Sequence, residues 1–487
     1  MKTNRRVLAT GYPFGSRFVW RRNIVAHNTH NQHLFAVGNS GVGKSMLLHK
    51  LLSQDINLSL SDPGSLAILF IDPHGTGYEG ALNEIASYTG KYQIEDRVVL
   101  IEPCNTSRGH VGLNVIESPR CKGILPYEIV SEVIASFKAA WKDAWGARME
   151  DLLRFSCIPL QESEMTICQI SRFLTDENFR NAIVNNCSNP DARMFWKHFS
   201  SFKKSERVYF VESCKNKISQ LTTNPYLKMT LCQKNSTIDF FKLFNEGKII
   251  LANFSMTHLK AEDRKLLGHL LLGKVHTAIM ARDEIPSNER KTPVVLYIDE
   301  AHEVYNRNFV LPIFTGGRKF SCSLNIFDQS LSQYEPEDAN IIVGNSATLI
   351  AFALSRRDAE LMAKNIFNYT GEYTKYSDDS LFAMKKSRTL FYSVQEEFEH
   401  SVSEITRQGV GQCFILLKGQ CKEPYIANTY KIQYPEKDIG KVEKLRELSA
   451  KYYNKNAETI HRETEEMEAP FLTADDEEDE EPTSYRG

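Results

Sequence analysis

Short apolar runs of five to seven residues alternate along much of the chain with longer stretches in which apolar residues recur at helical spacing. The runs predict eight buried strands, at His33–Val37, Ser65–Ile71, Arg97–Ile101, Lys248–Asn253, Pro293–Ile298, Ser323–Phe327, Ala347–Ala353 and Gln412–Lys418. Continuous apolar runs are typical of strands that are covered on both faces. Their alternation with helical stretches therefore predicts an α/β fold with a mostly parallel central sheet.

The pattern changes between Ser118 and Lys234, where helical stretches such as Tyr127–Trp145 and Arg193–Phe202 occur without a strand signal. We therefore predict an α/β domain at 31–117 and 236–435 that carries an all-helical inserted domain at 118–235. Residues 1–30 are predicted to be an irregular basic lead-in, and 436–460 a C-terminal helix. Residues 461–487 lack a dense apolar pattern and are predicted to be a disordered acidic tail.

Composition limits the class of protein. No stretch of about 18 apolar residues is present, so we expect no membrane span and a cytoplasmic location. The ten cysteines are scattered without a CxxC pair, which favours reduced, buried thiols. From Glu463 to Gly487 eleven acidic residues and Arg486 give a charge of −10, so a total of −2 leaves +8 on the remainder. A mildly basic body is compatible with a polyanionic partner.

The segment after the first predicted strand fits the P-loop pattern GxxxxGK[ST]. Its backbone N–H groups are expected to wrap phosphate oxygens at the start of a helix, where the helix dipole favours anions. We expect Lys44 to reach the β- and γ-phosphates and Ser45 to ligate magnesium. The nucleotide-binding residues predicted here are Gly38, Asn39, Ser40, Gly41, Val42, Gly43, Lys44 and Ser45.

A second apolar strand, Val294–Ile298, ends in two carboxylates, Asp299 and Glu300. Beside a P-loop the first acid is expected to support magnesium, and the second can polarise an attacking water as a general base. Gln329 follows the strand at Ser323–Phe327 and is placed to sense the γ-phosphate or position that water; a surface amide is the alternative. Arg318 lies between these strands and is a candidate arginine finger, with Arg356 and Arg357 as rivals.

The ordered set of motifs resembles the FtsK/HerA superfamily of P-loop ATPases, and within it the conjugative type IV secretion coupling ATPases. The motifs are the P-loop, a strand ending in Asp72-Pro-His74-Gly, the long helical stretch, a strand ending in Asp299-Glu-Ala-His302, and a strand followed by Gln329. The resemblance covers about residues 15–430. Transmembrane helices of the membrane-bound members are not recognisable in this sequence.

The resemblance implies a RecA-like motor that uses ATP and Mg²⁺, forms a homo-oligomeric ring that is usually hexameric, and pumps DNA through its channel. It also implies that Arg318 is the arginine finger, that Gln329 is the sensor, and that Asp72 and His74 lie beside the nucleotide. The helical insertion resembles the all-helical domain that coupling proteins place at the DNA-entry side of the ring.

Two charged segments allow alternative interpretations. Basic residues of the helical region are interleaved with aromatic residues, which suits nucleic acid but equally suits a solvated helix face; they are Lys203, Lys204, Arg207, Lys215 and Lys217. The acidic tail could solubilise the chain, dock a partner protein or mimic DNA. For His302 a hydrogen-bonding role is favoured over metal binding because no second ligand lies at suitable spacing.

Three functions are therefore compared: a DNA-translocating ATPase acting in DNA transfer, processing or defence; an ATPase that moves protein substrates; and a nucleotide-dependent scaffold in a mobile-element or defence complex. The first is preferred.

Overall fold

The computed structural model describes residues 5–14, 22–27, 29–118, 124–254, 258–286, 291–371, 373–377, 388–430 and 435–471. Its strands are β1 (Arg5–Pro13), β2 (Arg22–His27), β3 (His33–Val37), β4 (Ala67–Asp72), β5 (Val98–Ile101), β6 (His110–Val111), β7 (Ile249–Asn253), β8 (Val294–Asp299), β9 (Cys322–Asp328), β10 (Ser346–Ala351), β11 (Thr374–Ser377), β12 (Arg388–Phe391), β13 (Gln412–Leu417), β14 (Tyr425–Asn428) and β15 (Asn454–Lys455).

The helices are α1 (Lys44–Ser61), α2 (Thr76–Ser87), α3 (Pro126–Ala140), α4 (Ala147–Glu162), α5 (Ile170–Thr175), α6 (Glu177–Asn186), α7 (Pro190–Ser200), α8 (Lys204–Thr223), α9 (Pro225–Leu231), α10 (Phe240–Asn245), α11 (Ala261–Met280), α12 (Arg307–Gly316), α13 (Pro336–Asn345), α14 (Arg356–Ile366), α15 (Val394–Thr406), α16 (Ile439–Tyr453) and α17 (Ala457–Glu468). No described helix is long and apolar enough to cross a bilayer.

Eleven strands form one sheet in the order β2-β1-β14-β13-β10-β3-β9-β8-β4-β7-β5. The seven strands from β10 to β5 are mutually parallel, and the other four add in antiparallel fashion. All eight strands predicted from apolar runs are present. The α/β fold with a mostly parallel sheet is therefore confirmed.

The parallel register aligns the carboxyl ends of the central strands. Val37 is paired with Asp328 across β3 and β9, and Asp299 with Phe327 across β8 and β9. The residues that follow β3, β8 and β9 therefore emerge at one edge of the sheet, which is where ligands of open α/β sheets bind.

Helices cover both faces of the sheet. On one face the apolar side of α1 packs against β4, β8 and β9 through residues such as Leu48, Ile68 and Val295. On the other face α11 packs against α3, and the apolar core continues from the sheet into the helical region without interruption. In the described part of 118–234 every secondary-structure element is a helix. The helical region is thus tied to the sheet by shared packing.

Three expectations were wrong. Residues 5–13 and 22–27 form strands that extend the central sheet, because β1 pairs with β14 and β2 pairs with β1, which satisfies their backbone groups. Cys168 and Cys232 form a disulfide instead of remaining reduced. The first part of the predicted acidic tail is helical through Glu468, because Ile460 and Met467 are buried against the rest of the chain. Residues 472–487 lie outside the described residues.

Candidate active site at the carboxyl edge of the sheet

The P-loop connects the end of β3 to the start of α1, as its pattern predicts. Gly43 has φ 114°, in a region that L side chains rarely adopt. A Cβ on Gly38 would lie only 2.5 Å from the Cβ of Phe352. The N–H of Gly38 donates to Asp328 (3.1 Å) and that of Asn39 to Ala353 (2.9 Å), both on neighbouring strand ends. The loop is therefore shaped by backbone packing that needs glycine.

Lys44 opens α1 and is buried beneath the loop. Its Nζ donates to the carbonyl of Gly38 (2.6 Å) and to that of Asn39 (3.0 Å). Burial lowers the pKa of Lys44, and three nearby carboxylates oppose that shift: Glu300, Asp299 and Asp328. The lysine thus lies between the phosphate-binding loop and an acidic cluster.

Asp299 and Glu300 leave β8 together and are both buried. Burial, followed by the charges of Asp72 and Glu300, raises the pKa of Asp299 to about 7. Glu300 has φ 46°, an uncommon backbone conformation for a residue with a side chain. Its Oε1 accepts a hydrogen bond from Gln329 Nε2 (2.9 Å), whereas its buried Oε2 has no hydrogen-bond partner in the described structure.

The predicted base and the predicted sensor are therefore in direct contact. Gln329 holds one oxygen of Glu300. The other oxygen lies 3.8 Å from His302 Nδ1 and has no hydrogen-bond partner in the described structure, so it can accept a proton or a hydrogen bond. The strained backbone of Glu300 turns the carboxylate into this position at the end of β8.

Asp328, the last residue of β9, was not predicted as a site residue. It is completely buried, and its oxygens accept from the Tyr334 hydroxyl and face His302 Nδ1 at 2.6 Å. Burial acts to lower the pKa of His302, but the hydrogen bond and charge of Asp328 prevail and raise it. The hydrogen-bonding interpretation of His302 therefore agrees with the structure. The sequence signal that could have identified Asp328 is an acidic residue directly after the predicted strand Ser323–Phe327.

Ligand atoms of Glu300, His302 and Asp328 lie within 4.8 Å of one another, a spacing that could accommodate a cation. Both oxygens of Asp328 are already hydrogen-bonded, however, so such a cation would have to replace the contact with His302.

The Asp72–Gly75 turn lies beside this cluster. Asp72 is completely buried, and its carboxylate accepts from the backbone N–H groups of His74 (2.9 Å), Gly75 (2.8 Å) and Tyr78 (2.8 Å). Asp72 therefore shapes the start of α2, with both of its carboxylate oxygens already hydrogen-bonded. His74 is partly exposed, with Nε2 3.5 Å from Glu303.

A divalent cation fits the acidic side of this site. Mg²⁺ prefers oxygen ligands. The edge presents several buried carboxylates against the single charge of Lys44, and the unpartnered Glu300 Oε2 is among them. Ser45 is exposed in the first turn of α1, one residue after Lys44.

Arg318 is not near the loop of its own chain. It precedes β9 and lines a groove of about 440 Å³ with His33 and Lys418, at the opposite end of the strands. A seven-residue strand spans roughly 20 Å. The rivals Arg356 and Arg357 begin α14 on the P-loop edge, and Arg356 is paired with Glu360 and Glu399.

Comparison with known proteins finds similarity in structure only. No protein-family model and no curated protein sequence matches the chain. The plasmid coupling protein TrwB in complex with the GTP analogue GDPNP superposes with a TM-score of 0.57 at 15% identity, over 84% of this chain and 87% of that one. TrwB with ADP and Mg²⁺ gives 0.56 at 14%, over 84% and 88%.

VirB4 of Thermoanaerobacter pseudethanolicus gives a TM-score of 0.53 at 12% identity, over 88% of this chain and 97% of that one. These superpositions confirm the fold implied by the sequence resemblance, and they extend over the helical region as well as the sheet. The chain therefore has the RecA-like P-loop ATPase fold of the bacterial conjugative coupling protein TrwB and of VirB4.

Proposed function

We propose that the chain hydrolyses ATP with Mg²⁺ and uses the energy to translocate DNA as a homo-oligomeric ring, hexameric as the family resemblance implies. The observation that carries the hydrolytic part is the convergence of Lys44, Glu300 and Gln329 at one sheet edge, with a buried Glu300 oxygen that has no partner. TrwB complexes with an ATP analogue and with ADP and Mg²⁺ support the choice of ligand.

Phosphate binding would begin at the loop. In the structure Lys44 donates to loop carbonyls, and a β/γ-phosphate would offer it stronger, charged acceptors. The backbone N–H groups of Ser40 to Ser45 would surround the phosphates at the start of α1. Ser45 and Asp299 would hold Mg²⁺, which would neutralise the negative charge that develops on the phosphates. His74 would border the nucleotide from the neighbouring turn.

Glu300 would act as the general base. Its free Oε2 accepts a proton from the attacking water, while Gln329 keeps the carboxylate oriented through Oε1. Because Asp328 is held by Tyr334 and His302, it would position these residues without contacting the water.

Arg318 would act on the site of a neighbouring subunit. Its position at the far end of the strands separates it from its own loop, and a ring brings the two ends of adjacent subunits together. An arginine supplied in this way stabilises transition-state charge and makes hydrolysis depend on assembly.

DNA is the preferred cargo because the body of the chain carries +8 and because the motif set resembles that of DNA-pumping ATPases. The test is the ATPase rate of the chain alone and with single- or double-stranded DNA, together with its mass with and without nucleotide. We expect low activity of the monomer, and stimulation by DNA that weakens with salt. Lys44→Ala should be inactive, and Lys50→Ala on the same helix should not be.

Other outcomes select the alternatives. ATP hydrolysis that is indifferent to DNA, with no salt-linked DNA binding, would favour a motor acting on protein substrates. A biological output that survives Glu300→Gln would favour a nucleotide-dependent scaffold.

A further inference from the structure

The last described residues of the chain are anchored on the helical region. Glu468, at the end of α17, accepts hydrogen bonds from Arg172 (2.8 Å) and Gln169 (3.1 Å). The ring of Phe471 meets that of Phe179 edge-on at 5.8 Å, and the Arg172 guanidinium lies 4.5 Å from the Phe179 centroid. These contacts fix where the acidic end of the chain begins.

A groove of about 420 Å³ lies next to this anchor, between α6 and α8; we call it the α6–α8 groove. Lys204, Arg207 and Lys215 line it, and Arg180 lies at its base. Lys204 and Lys215 are exposed, and neither forms an ion pair among the described residues. Two acids also line it: Glu177, which pairs with Arg207 at 2.9 Å, and Glu212.

The base of the groove carries a buried cation. Arg180 is 3% exposed, and its guanidinium lies between Trp196 (5.6 Å to the centroid) and Phe199 (5.3 Å). Its buried Nε has no hydrogen-bond partner in the described structure. Beside it the apolar side chain of Val208 is 58% exposed at the groove. The groove therefore combines net positive charge with an apolar surface.

We propose that residues 472–487 of this same chain bind the α6–α8 groove. Phe471 packs on Phe179, and the next residue of α6, Arg180, already lines the groove. Asp475–Glu481 is a run of seven consecutive acids. It begins four residues after Phe471, and four extended residues span about 13 Å. The acidic run would therefore be within reach of the groove, where its charge would complement that of Lys204 and Lys215.

The contact has a regulatory consequence that rests on the proposed function. The groove includes part of the basic cluster that could contact nucleic acid, so the acidic segment and a nucleic acid would compete for the same cations. A nucleic acid would have to displace the segment before binding there.

A zero-length carbodiimide, which joins carboxylates to lysine amines, tests the contact in the full chain. We expect mass spectrometry to find cross-links from residues 475–481 to Lys203, Lys204, Lys215 and Lys217. They should form within one molecule in a mixture of ¹⁵N-labelled and unlabelled chains, and decline at high salt. Cross-links spread evenly over surface lysines, or found mainly between chains, would overturn the proposal.

A charge-reversal variant gives a second readout. Lys204→Glu with Lys215→Glu should lower cross-linking to Lys203 and Lys217 roughly fivefold or more, because the attraction is removed while those acceptors remain. The matched control is Lys364→Glu with Lys444→Glu, two exposed lysines outside the helical region. Both pairs should leave the melting temperature unchanged; equal cross-linking in the two variants contradicts the proposal.

A third measurement separates this contact from the DNA function. Replacing the acids at 475–481 by their amides should raise the affinity for a fluorescent single-stranded oligonucleotide about tenfold at low salt. If the cross-links occur as expected but affinity does not change, the segment occupies the groove and the competition with nucleic acid is wrong. Increased affinity without cross-links to the α6–α8 groove would show that the acidic segment does not bind there.

Discussion

Two charged clusters lie on the same face of the sheet, and they differ in how their charges are balanced. The inner cluster consists of Arg6, His30, Asp55 and Tyr297, and the edge cluster of Lys44, Asp299, Glu300 and Asp328. Tyr297 and Asp299 are two residues apart on β8, so the clusters are neighbours.

The inner cluster is complete within the chain. Asp55 accepts from Arg6 Nε (3.1 Å) and Nη2 (2.5 Å), lies 3.2 Å from His30 Nε2, and accepts from the Tyr297 hydroxyl (2.8 Å). The edge cluster has several carboxylates, one lysine and an unpartnered oxygen. A balanced buried cluster joins β1 to α1 and β8, whereas an unbalanced one provides a place for an external cation and phosphates.

The largest expected effect is on the inner cluster. Arg6→Met removes the counter-ion of a buried carboxylate, which should lower the free energy of unfolding by about 3–5 kcal/mol. Urea denaturation measures this. The neighbouring Arg5→Met is the control, because Arg5 is exposed and its loss should change stability by less than about 0.5 kcal/mol. Similar values for the two variants would show that the inner cluster does not stabilise the fold.

Glu300→Gln should impair ATP hydrolysis at the edge cluster and leave the fold intact. We expect the ATP turnover rate to fall about 10²–10³-fold, because the amide cannot take a proton, with nucleotide binding retained. Steady-state ATPase assays and nucleotide titration measure the two effects. Glu337→Gln, at an exposed site, is the control. Retained turnover in Glu300→Gln would remove Glu300 as the base.

Lowering the pH should test the charge balance of the inner cluster. Burial acts to raise the pKa of Asp55, but Arg6 and His30 prevail and lower it from 3.8 to about 2. A depressed folded-state pKa means that this stabilisation is present above pH 4 and is lost as pH falls toward 2. Over that window it amounts to roughly 2–3 kcal/mol.

Urea unfolding between pH 5 and 2 measures this loss. The Asp55→Asn variant should lack that part of the decline, although it starts from lower stability. Parallel curves for the two proteins would show that Asp55 does not carry the effect.

The smallest expected effect is a partial recovery of activity, and it concerns the arginine that a neighbouring subunit supplies. If Arg318 serves a neighbour's edge cluster, Arg318→Ala and Lys44→Ala chains should each be inactive alone and recover part of the activity when mixed, because some interfaces pair intact halves. The same assay with Arg357→Ala in place of Arg318→Ala, again mixed with Lys44→Ala, identifies which arginine acts on the neighbouring site. Absence of recovery for Arg318→Ala would remove it as the finger.

Much of the fold follows from local patterns. The eight apolar runs became strands, one of them, His33–Val37, with unchanged bounds, because burial on both faces demands continuous apolar sequence. β1 and β2 were not predicted, since these antiparallel strands depend on pairing with β14 and with each other and carry a mixed pattern. The helical form of 457–468 likewise depends on burial of Ile460 and Met467 in tertiary contacts.

Within the site, the residue types of the P-loop and of Asp299-Glu300 were recognisable because phosphate and metal chemistry restrict them. The structure adds the contact between Gln329 and Glu300, the hydrogen bonds that occupy Asp328, and the engagement of Asp72 by the α2 turn. Their roles as catalytic and binding groups remain predictions.

Local sequence patterns suffice to predict the eight buried strands and the helical stretches between them, and the glycines, lysine and carboxylates of the loop and strand ends, because steric and chemical demands act on neighbouring residues. Tertiary structure alone decided which charges are balanced. Arg6 and Asp55 are 49 residues apart and meet only through packing of β1 on α1, whereas Glu300 keeps an unpartnered oxygen at the sheet edge. Electrostatic balance depends on distances and burial in space, which no local pattern contains.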